Sequence, residues 1–161
     1  MGREAMAGRE VIARIDDRDR RAEIARAILE ALPDWFGNEA AREDYIAKSR
    51  DWPFFAAFEE DAPVGFLCLK PTGRETVELS VMGVLERCHR RGYGKQLLAA
   101  AMALAREQGY EFMQVKTVKM GVYEDYDRTN RFYLSQGFRE FEVMPEYWDE
   151  KNPCQIYVMA L

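Results

Sequence analysis

The sequence is poor in the side chains that build disulfides and metal sites. It has three cysteines, Cys68, Cys88 and Cys154, which lie far apart, and a single histidine, His89. This spacing excludes a disulfide scaffold, a zinc finger and a His-rich metal site, so we expect no metal ion. Cysteines without close partners are also typical of a reducing compartment, which favours the cytoplasm.

Long apolar runs and a strong charge of one sign are missing as well. No run of about 18 apolar residues is present, so no membrane partner is expected. Residues 1–10 lack the apolar centre of a signal peptide, and we expect them to be flexible. The 23 basic and 28 acidic side chains give a net charge of -5, which predicts no nucleic-acid partner. The positive charge of any anion-binding site must therefore come from a few neighbouring residues.

The length and apolar content are those of one compact domain. The chain has 161 residues, of which 48% are apolar. Such a chain buries enough surface in one core to offset its ordering entropy. We therefore predict a single domain over residues 1–161.

Apolar periodicity predicts a hairpin followed by a strand, a glycine turn, a helix and another strand. This order predicts a mixed twisted sheet flanked by helices on both faces, which is an α/β or α+β fold. The last predicted strand is expected at an edge, where it could pair two subunits into a homodimer. Strands are predicted over 11–15, 54–58, 64–70, 76–85, 112–118, 138–143 and 156–160, and helices over 20–32, 39–49, 95–108 and 129–135.

The most informative segment is a strand, Glu78–Leu85, that runs into a glycine-rich turn and a long helix. Glycines let the backbone approach a ligand, and the start of the helix offers unpaired N–H groups that favour phosphate. Three cations add full positive charge there. The alternative is that the glycines only shape a tight turn. The candidate phosphate-binding residues are Arg90, Arg91, Gly92, Tyr93, Gly94 and Lys95.

Other nucleotide motifs fit this turn less well. A P-loop ends in Gly-Lys-Ser/Thr, whereas Gly94-Lys95 is followed by Gln96. A dinucleotide fingerprint needs three spaced glycines, and here there are two, Gly92 and Gly94. The turn therefore predicts a pyrophosphate site without a magnesium ligand.

The turn resembles the signature of the GNAT acetyltransferases, Arg/Gln-x-x-Gly-x-Gly/Ala after the fourth strand. His89–Gly94 departs from this pattern at its first position, where His89 replaces Arg or Gln. A second family signature, an aromatic-Tyr pair followed by Gly-Phe, is present as Phe132-Tyr133 and Gly137-Phe138. The two signatures occur in the family's order.

The resemblance extends over residues 54–161, which it identifies as the CoA-binding core. It implies that residues 11–52 form the variable helical region that shapes substrate binding. It also implies an N-acetyltransferase that moves an acetyl group from acetyl-CoA to a primary amine, directly and in a ternary complex.

The resemblance further implies roles for individual residues. The backbone of Met82, Gly83 and Val84 matches the segment that pairs with pantetheine, and Gly83 would admit the thioester closely. Tyr133 matches the general acid that protonates the departing CoA thiolate. A tyrosine that packs on the sheet is the alternative interpretation of Tyr133.

Two more polar residues are candidates. Asn130 lies three residues before Tyr133 on the same helical face, from which it could reach the pantetheine or the ribose-phosphate arm of CoA, or else cap the helix. Glu78 stands on an apolar strand, where some family members place a general base. A solvated strand face, or deprotonation of the amine through a water chain, is the alternative for Glu78.

The acceptor is predicted only as a chemical class. The segment Tyr123–Asp127 is acidic and aromatic, which attracts cations, although a solvated loop before a helix is the other interpretation. The negative net charge favours a cationic small molecule as the amine. A function of another class, a non-catalytic CoA-binding or regulatory module, has no need of a proton donor such as Tyr133.

Overall fold

The computed structural model describes residues 10–161, which form seven strands and four α-helices. Glu10 begins the first strand, and the rest of the segment predicted to be flexible, residues 1–9, lies outside the described residues. The strands are β1 (Glu10–Arg14), β2 (Phe54–Glu59), β3 (Ala62–Pro71), β4 (Thr76–Val84), β5 (Phe112–Val118), β6 (Arg139–Asp149) and β7 (Asn152–Ala160), and the helices are α1 (Arg18–Glu30), α2 (Glu39–Lys48), α3 (Tyr93–Glu107) and α4 (Glu124–Ser135), with a 3-10 helix at Glu86–Cys88.

The seven described strands form one mixed sheet in the order β1-β2-β3-β4-β5-β7-β6. β4 and β5 pair in parallel, whereas β1 with β2, β2 with β3, β5 with β7 and β6 with β7 pair antiparallel. A parallel pair needs a crossover connection, and α3 supplies it between β4 and β5. The predicted α/β class with a mixed sheet is confirmed.

The last helix and the last two strands are longer than expected, β7 because it begins at Asn152. α4 begins at Glu124, so the predicted acidic loop is the first turn of this helix. Carboxylates stabilise a first turn through the helix dipole, a signal that apolar spacing does not carry. β6 continues to Asp149, whose carboxylate accepts hydrogen bonds from the Asn152 side chain at 2.9 and 3.0 Å. Most of β6 is exposed, so alternation did not reveal its length.

The predicted strand 156–160 does not lie at an edge of the sheet. It belongs to β7, where Tyr157 pairs with Val115 of β5 on one side and with Glu140 of β6 on the other. Its backbone groups are therefore used within the chain, and the expectation that this strand pairs two subunits is wrong. Within residues 10–161, the edges are β1 and β6.

The described chain divides into two compact units. One comprises the described residues up to Leu69 together with Val81–Ala101, and the other comprises Lys70–Ser80 and Met102–Leu161. In neither unit do the described residues include a helix long and apolar enough to cross a membrane.

The first unit buries two helices on opposite faces of β3. Phe66 belongs to the same buried cluster as Ile28 of α1. A Cβ on the preceding residue, Gly65, would lie 3.5 Å from Leu97 Cδ1 of α3. Successive strand residues point to opposite faces, so α1 and α3 cover different faces. The predicted arrangement of helices on both faces is thus confirmed.

Gly83 in β4 makes room for α1. A Cβ on Gly83 would lie 3.0 Å from Ile28 Cγ2 and 3.1 Å from Leu32 Cδ1. Those distances are tighter than ordinary van der Waals contact, so the glycine is required for close packing of the helix on the strand. The expectation that its missing side chain admits the thioester is therefore wrong. Binding of pantetheine by the backbone of this segment stays a prediction.

This packing predicts that Gly83→Ala destabilises the fold. The added methyl group must push Ile28 and Leu32 aside, which should lower the free energy of unfolding by about 1–3 kcal/mol. Gly73→Ala is the control, because a Cβ there meets no atom within 4 Å, and it should change stability by less than about 0.5 kcal/mol. Urea denaturation measures both variants, and equal stabilities would contradict this account of Gly83.

Candidate active site

The predicted anion-binding turn connects the 3-10 helix to α3 in the first unit. Arg90 and Gly92 both have left-handed backbone conformations, with φ of 67° and 84°. Glycine adopts this conformation at no steric cost, whereas an arginine there is uncommon and strained. The first hydrogen bond within α3 runs from Gln96 N–H to the Gly92 carbonyl at 3.0 Å. The N–H groups of the first three helical residues therefore have no acceptor within the helix.

The turn is open on the side that a Cβ of Gly92 would occupy. Such a Cβ would meet only Gln96 Nε2, at 3.7 Å. Arg90, Arg91 and Lys95, within three residues of Gly92, are exposed. A diphosphate would find backbone N–H groups, the positive end of the α3 dipole and full positive charges together, so the residues present fit the pyrophosphate of CoA.

Glu59, at the end of β2, holds two of the predicted phosphate-binding side chains. Its Oε2 accepts hydrogen bonds from the Tyr93 hydroxyl at 2.5 Å and from Arg91 Nη1 at 2.9 Å. Its Oε1 lies 3.4 Å from Arg87 Nη1. The hydrogen bond from Tyr93, supported by both guanidinium groups, lowers the pKa of Glu59 although burial raises it. The carboxylate is therefore ionised at neutral pH.

The side chain of Tyr93 does not belong to the predicted phosphate site. Tyr93 is 1% exposed, so its side chain belongs to the interior, and only contact of its backbone with a phosphate stays a prediction. Arg91 differs because its side chain is 51% exposed while it contacts Glu59. No sequence pattern indicates a role for Glu59, because it follows the predicted strand 54–58 and stands in a run of three acidic residues.

Glu78 lies in the second unit, where it is buried and has a charged partner. It is 8% exposed, and its Oε1 accepts a hydrogen bond from Lys116 Nζ at 2.8 Å. The same ammonium lies 5.7 Å from the centre of the Tyr147 ring. Glu78 pairs with Gln114 in the parallel register, and Lys116 follows two residues later on the same face. Lys116 was missed because only the register brings it to Glu78.

Tyr133 lies in the last turn of α4 and is 5% exposed. Phe138 N–H donates to the Tyr133 carbonyl at 3.1 Å, and Gly137 N–H donates to the Leu134 carbonyl at 3.2 Å. With Gly137 at φ 103°, these are the two hydrogen bonds of a Schellman motif. The Tyr133 and Phe138 rings meet edge to face at 5.5 Å, the apolar contact that accompanies this motif. The spacing of the second signature therefore has a structural cause.

Asn130 does not lie where a cofactor could reach it. It is fully buried, and its Nδ2 donates to the carbonyls of Val118 and Tyr126 at 2.8 and 2.7 Å. Its Oδ1 accepts a hydrogen bond from the Tyr157 hydroxyl at 2.5 Å. Both amide hydrogens are used inside the protein, so the predicted contact with CoA is wrong, and so is the alternative of a helix cap. Asn130 instead ties α4 to β5 and β7.

The predicted pantetheine segment follows the part of β4 that pairs with β5. Within residues 10–161, the pairing of β4 with β5 runs from Thr76 opposite Phe112 to Leu79 opposite Val115. Met82–Val84 come later in β4 than the last of these pairs. The same described residues contain no group of three or more His, Cys, Asp or Glu side chains that could hold a metal ion.

Comparison with known proteins agrees with this geometry. A curated relative, the uncharacterized N-acetyltransferase YsnE of Bacillus subtilis (strain 168), is 28% identical over 99 residues, which are 62% of this chain and 64% of that protein. The match thus spans less than two thirds of the relative's own length.

Solved structures share the fold. A crystal structure of a GNAT-family protein from Desulfovibrio desulfuricans superposes with a TM-score of 0.79 at 21% identity, over 94% of this chain and 99% of that one. A GNAT family acetyltransferase from Elizabethkingia anophelis with acetyl-CoA bound superposes with a TM-score of 0.70 at 16% identity, over 94% and 98% of the chains. The sequence model of the Acetyltransferase (GNAT) family matches residues 20–138. That match covers most of the chain, which therefore belongs to the GNAT acetyltransferase family.

Proposed function

We propose that this protein is an N-acetyltransferase that uses acetyl-CoA as donor and a primary amine as acceptor. The observation that carries the proposal is the turn before α3, with N–H groups that have no acceptor within the helix, exposed cations and open space beside Gly92. A pyrophosphate has the charge and oxygen acceptors that such a helix start binds. The structural neighbour from Elizabethkingia anophelis, which has acetyl-CoA bound, supports the same donor.

The backbone of Met82–Val84 is proposed to bind the pantetheine arm. An extended ligand can add to an extended strand through main-chain hydrogen bonds, in the manner of strand addition. This segment follows the last residue of β4 that pairs with β5, which supports the assignment. A backbone N–H there would also stabilise the oxyanion that forms during acyl transfer.

The reaction is proposed to be a direct transfer without a covalent enzyme intermediate. The neutral amine nitrogen attacks the thioester carbonyl carbon, the C–N bond forms and the C–S bond breaks. The departing thiolate takes a proton from the hydroxyl of Tyr133, which regains one from solvent. The proton that the amine loses goes to a base or to water, so charge and atoms balance.

The acceptor is proposed to be a small cationic amine. The acidic first turn of α4 supports a cationic class, and its Glu124 is exposed. Two of its carboxylates already serve the fold, since Asp127 accepts from Gly121 N–H at 2.7 Å and Asp125 lies 3.4 Å from Arg128. A panel of amines assayed by CoA release tests the class. CoA binding without turnover of any amine would instead support the non-catalytic module.

The donor site is tested by Gly92→Val. A β-branched side chain would strain the left-handed turn and fill the open space, so CoA affinity should fall roughly 10- to 100-fold by calorimetry. The matched control is Gly109→Val, because Gly109 has nearly the same φ, 86°, in the turn that follows α3. Both variants should lose similar stability, while CoA affinity falls in Gly92→Val alone. Undiminished affinity in Gly92→Val would remove the turn from the site.

The proton donor is tested by Tyr133→Phe. The substitution keeps the ring contacts with Phe138 and Tyr157, at 5.5 and 6.2 Å, and deletes only the hydroxyl. We expect kcat to fall roughly 10- to 1000-fold while acetyl-CoA affinity stays within a few fold. Equal kcat in the two proteins would leave Tyr133 with its packing role in the Schellman motif.

Glu78 enters the proposal as the ion-pair partner of Lys116. If Glu78 took the proton of the amine, the largely buried ammonium of Lys116 would lose its counter-charge, which is costly. The sequence left two routes open, Glu78 or a water chain. The ion pair favours the second, in which water accepts the proton or the substrate's own free-amine fraction reacts.

Glu78→Gln distinguishes the two routes through the pH profile of kcat/KM. If Glu78 is the base, the substitution flattens the rise of kcat/KM with pH and lowers the rate. We expect the rise to keep its shape. Lys116→Met serves as the companion variant, because it removes the ammonium and leaves the carboxylate in place. A flattened profile in Glu78→Gln, with a rise of kcat/KM that persists in Lys116→Met, would establish Glu78 as the base.

A further inference from the structure

Glu59 contacts all three segments that build the phosphate turn. Arg87 lies in the 3-10 helix, Arg91 in the turn itself, and Tyr93 is the first residue of α3. One carboxylate accepts from Tyr93 at 2.5 Å and from Arg91 at 2.9 Å, and it lies 3.4 Å from Arg87. The relative placement of these segments, and of the N–H groups at the start of α3, therefore depends on one side chain of β2.

The hairpin that carries Glu59 has an uncommon backbone conformation at its turn. Glu60 and Asp61, the two residues of the β2–β3 turn, have φ of 48° and 72°. Two successive left-handed residues suit a two-residue hairpin, but glycine and asparagine are the usual occupants. The turn aligns Glu59 with Ala62, which fixes where the carboxylate leaves the strand. Such strain persists where the surrounding contacts over-determine the conformation.

We propose that Glu59 is a positioning residue that holds the turn in its phosphate-binding shape before CoA arrives. The inference rests on the proposed function, because it assigns Glu59 to the site of that cofactor. A guanidinium has five N–H donors, so Arg91 can contact a phosphate while it stays bonded to Glu59. A turn already held in the bound shape loses less conformational entropy on binding, which raises affinity.

A competing role for Glu59 predicts the opposite effect. A carboxylate beside Arg87 and Arg91 also lowers the positive potential that attracts phosphate, so its removal would tighten binding if electrostatics dominated. The hydrogen bond from Tyr93 favours positioning. Tyr93 is uncharged and 1% exposed, so its bond to Glu59 fixes the start of α3 and neutralises no cation.

Calorimetry with CoA alone tests the proposal on four proteins. Glu59→Gln should weaken CoA binding roughly 5- to 50-fold, because Arg87 and Arg91 become free to move. Tyr93→Phe keeps the charge of Glu59 and should also weaken binding, which the electrostatic role does not predict. Glu86→Gln is the matched control, since Glu86 is exposed, adjoins Arg87 and forms no ion pair among the described residues. It removes the same charge and should leave affinity unchanged or slightly higher.

A kinetic readout separates positioning from a loss of fold. Glu59→Gln should raise the KM for acetyl-CoA and leave kcat nearly unchanged. CoA affinity that is unchanged or higher in Glu59→Gln, with normal binding by the wild-type protein, would overturn the inference and leave the proposed function standing. A wild-type protein that binds no CoA overturns both. Should Glu59→Gln fail to fold, Tyr93→Phe decides, and normal affinity in that variant counts against positioning.

Discussion

The parallel pairing of β4 with β5 is the constraint from which the candidate site follows. Two parallel strands cannot be joined by a hairpin, so the chain leaves β4, crosses the sheet through α3 and returns as β5. The crossover places a helix start directly after a strand. The first N–H groups of a helix have no acceptor within the helix, and Gly92, with its left-handed backbone, leaves open space beside this helix start. The topology thus places after β4 a helix start of the kind that binds phosphate.

Several residues of the family signatures are explained by folding requirements as well as by chemistry. Tyr133, Gly137 and Phe138 close α4 with a Schellman motif and a ring contact. Asn130 ties the same helix to β5 and β7 through two buried hydrogen bonds, one with the Val118 carbonyl and one with the Tyr157 hydroxyl. A hydroxyl placed on such a fixed helix has little freedom, and that rigidity suits a proton donor whose distance to its acceptor must be maintained.

Glu59 and Lys116 show how a neighbouring charge changes the role that a residue type suggests. Arg91 has the charge of a free phosphate ligand, yet it is bonded to Glu59. Glu78 has the carboxylate of a general base, yet it is paired with Lys116. In both cases the partner comes from another strand or from a distant hairpin. The roles proposed for these residues therefore depend on tertiary contacts as much as on the signature residues.

The sequence by itself determined the order and type of the elements, the glycine turn and the two signatures, because periodicity, helix stops and turn residues are local properties. It did not determine the length of β6, the interior place of β7 or the early start of α4, since exposed strands and acidic helical turns carry weak apolar patterns. Only the tertiary structure decided that Gly83 accommodates α1 and that Asn130 is buried. It also brought Lys116 to Glu78 and Arg91 to Glu59, because strand register and helix packing join residues far apart in the chain, and no local pattern records such distances.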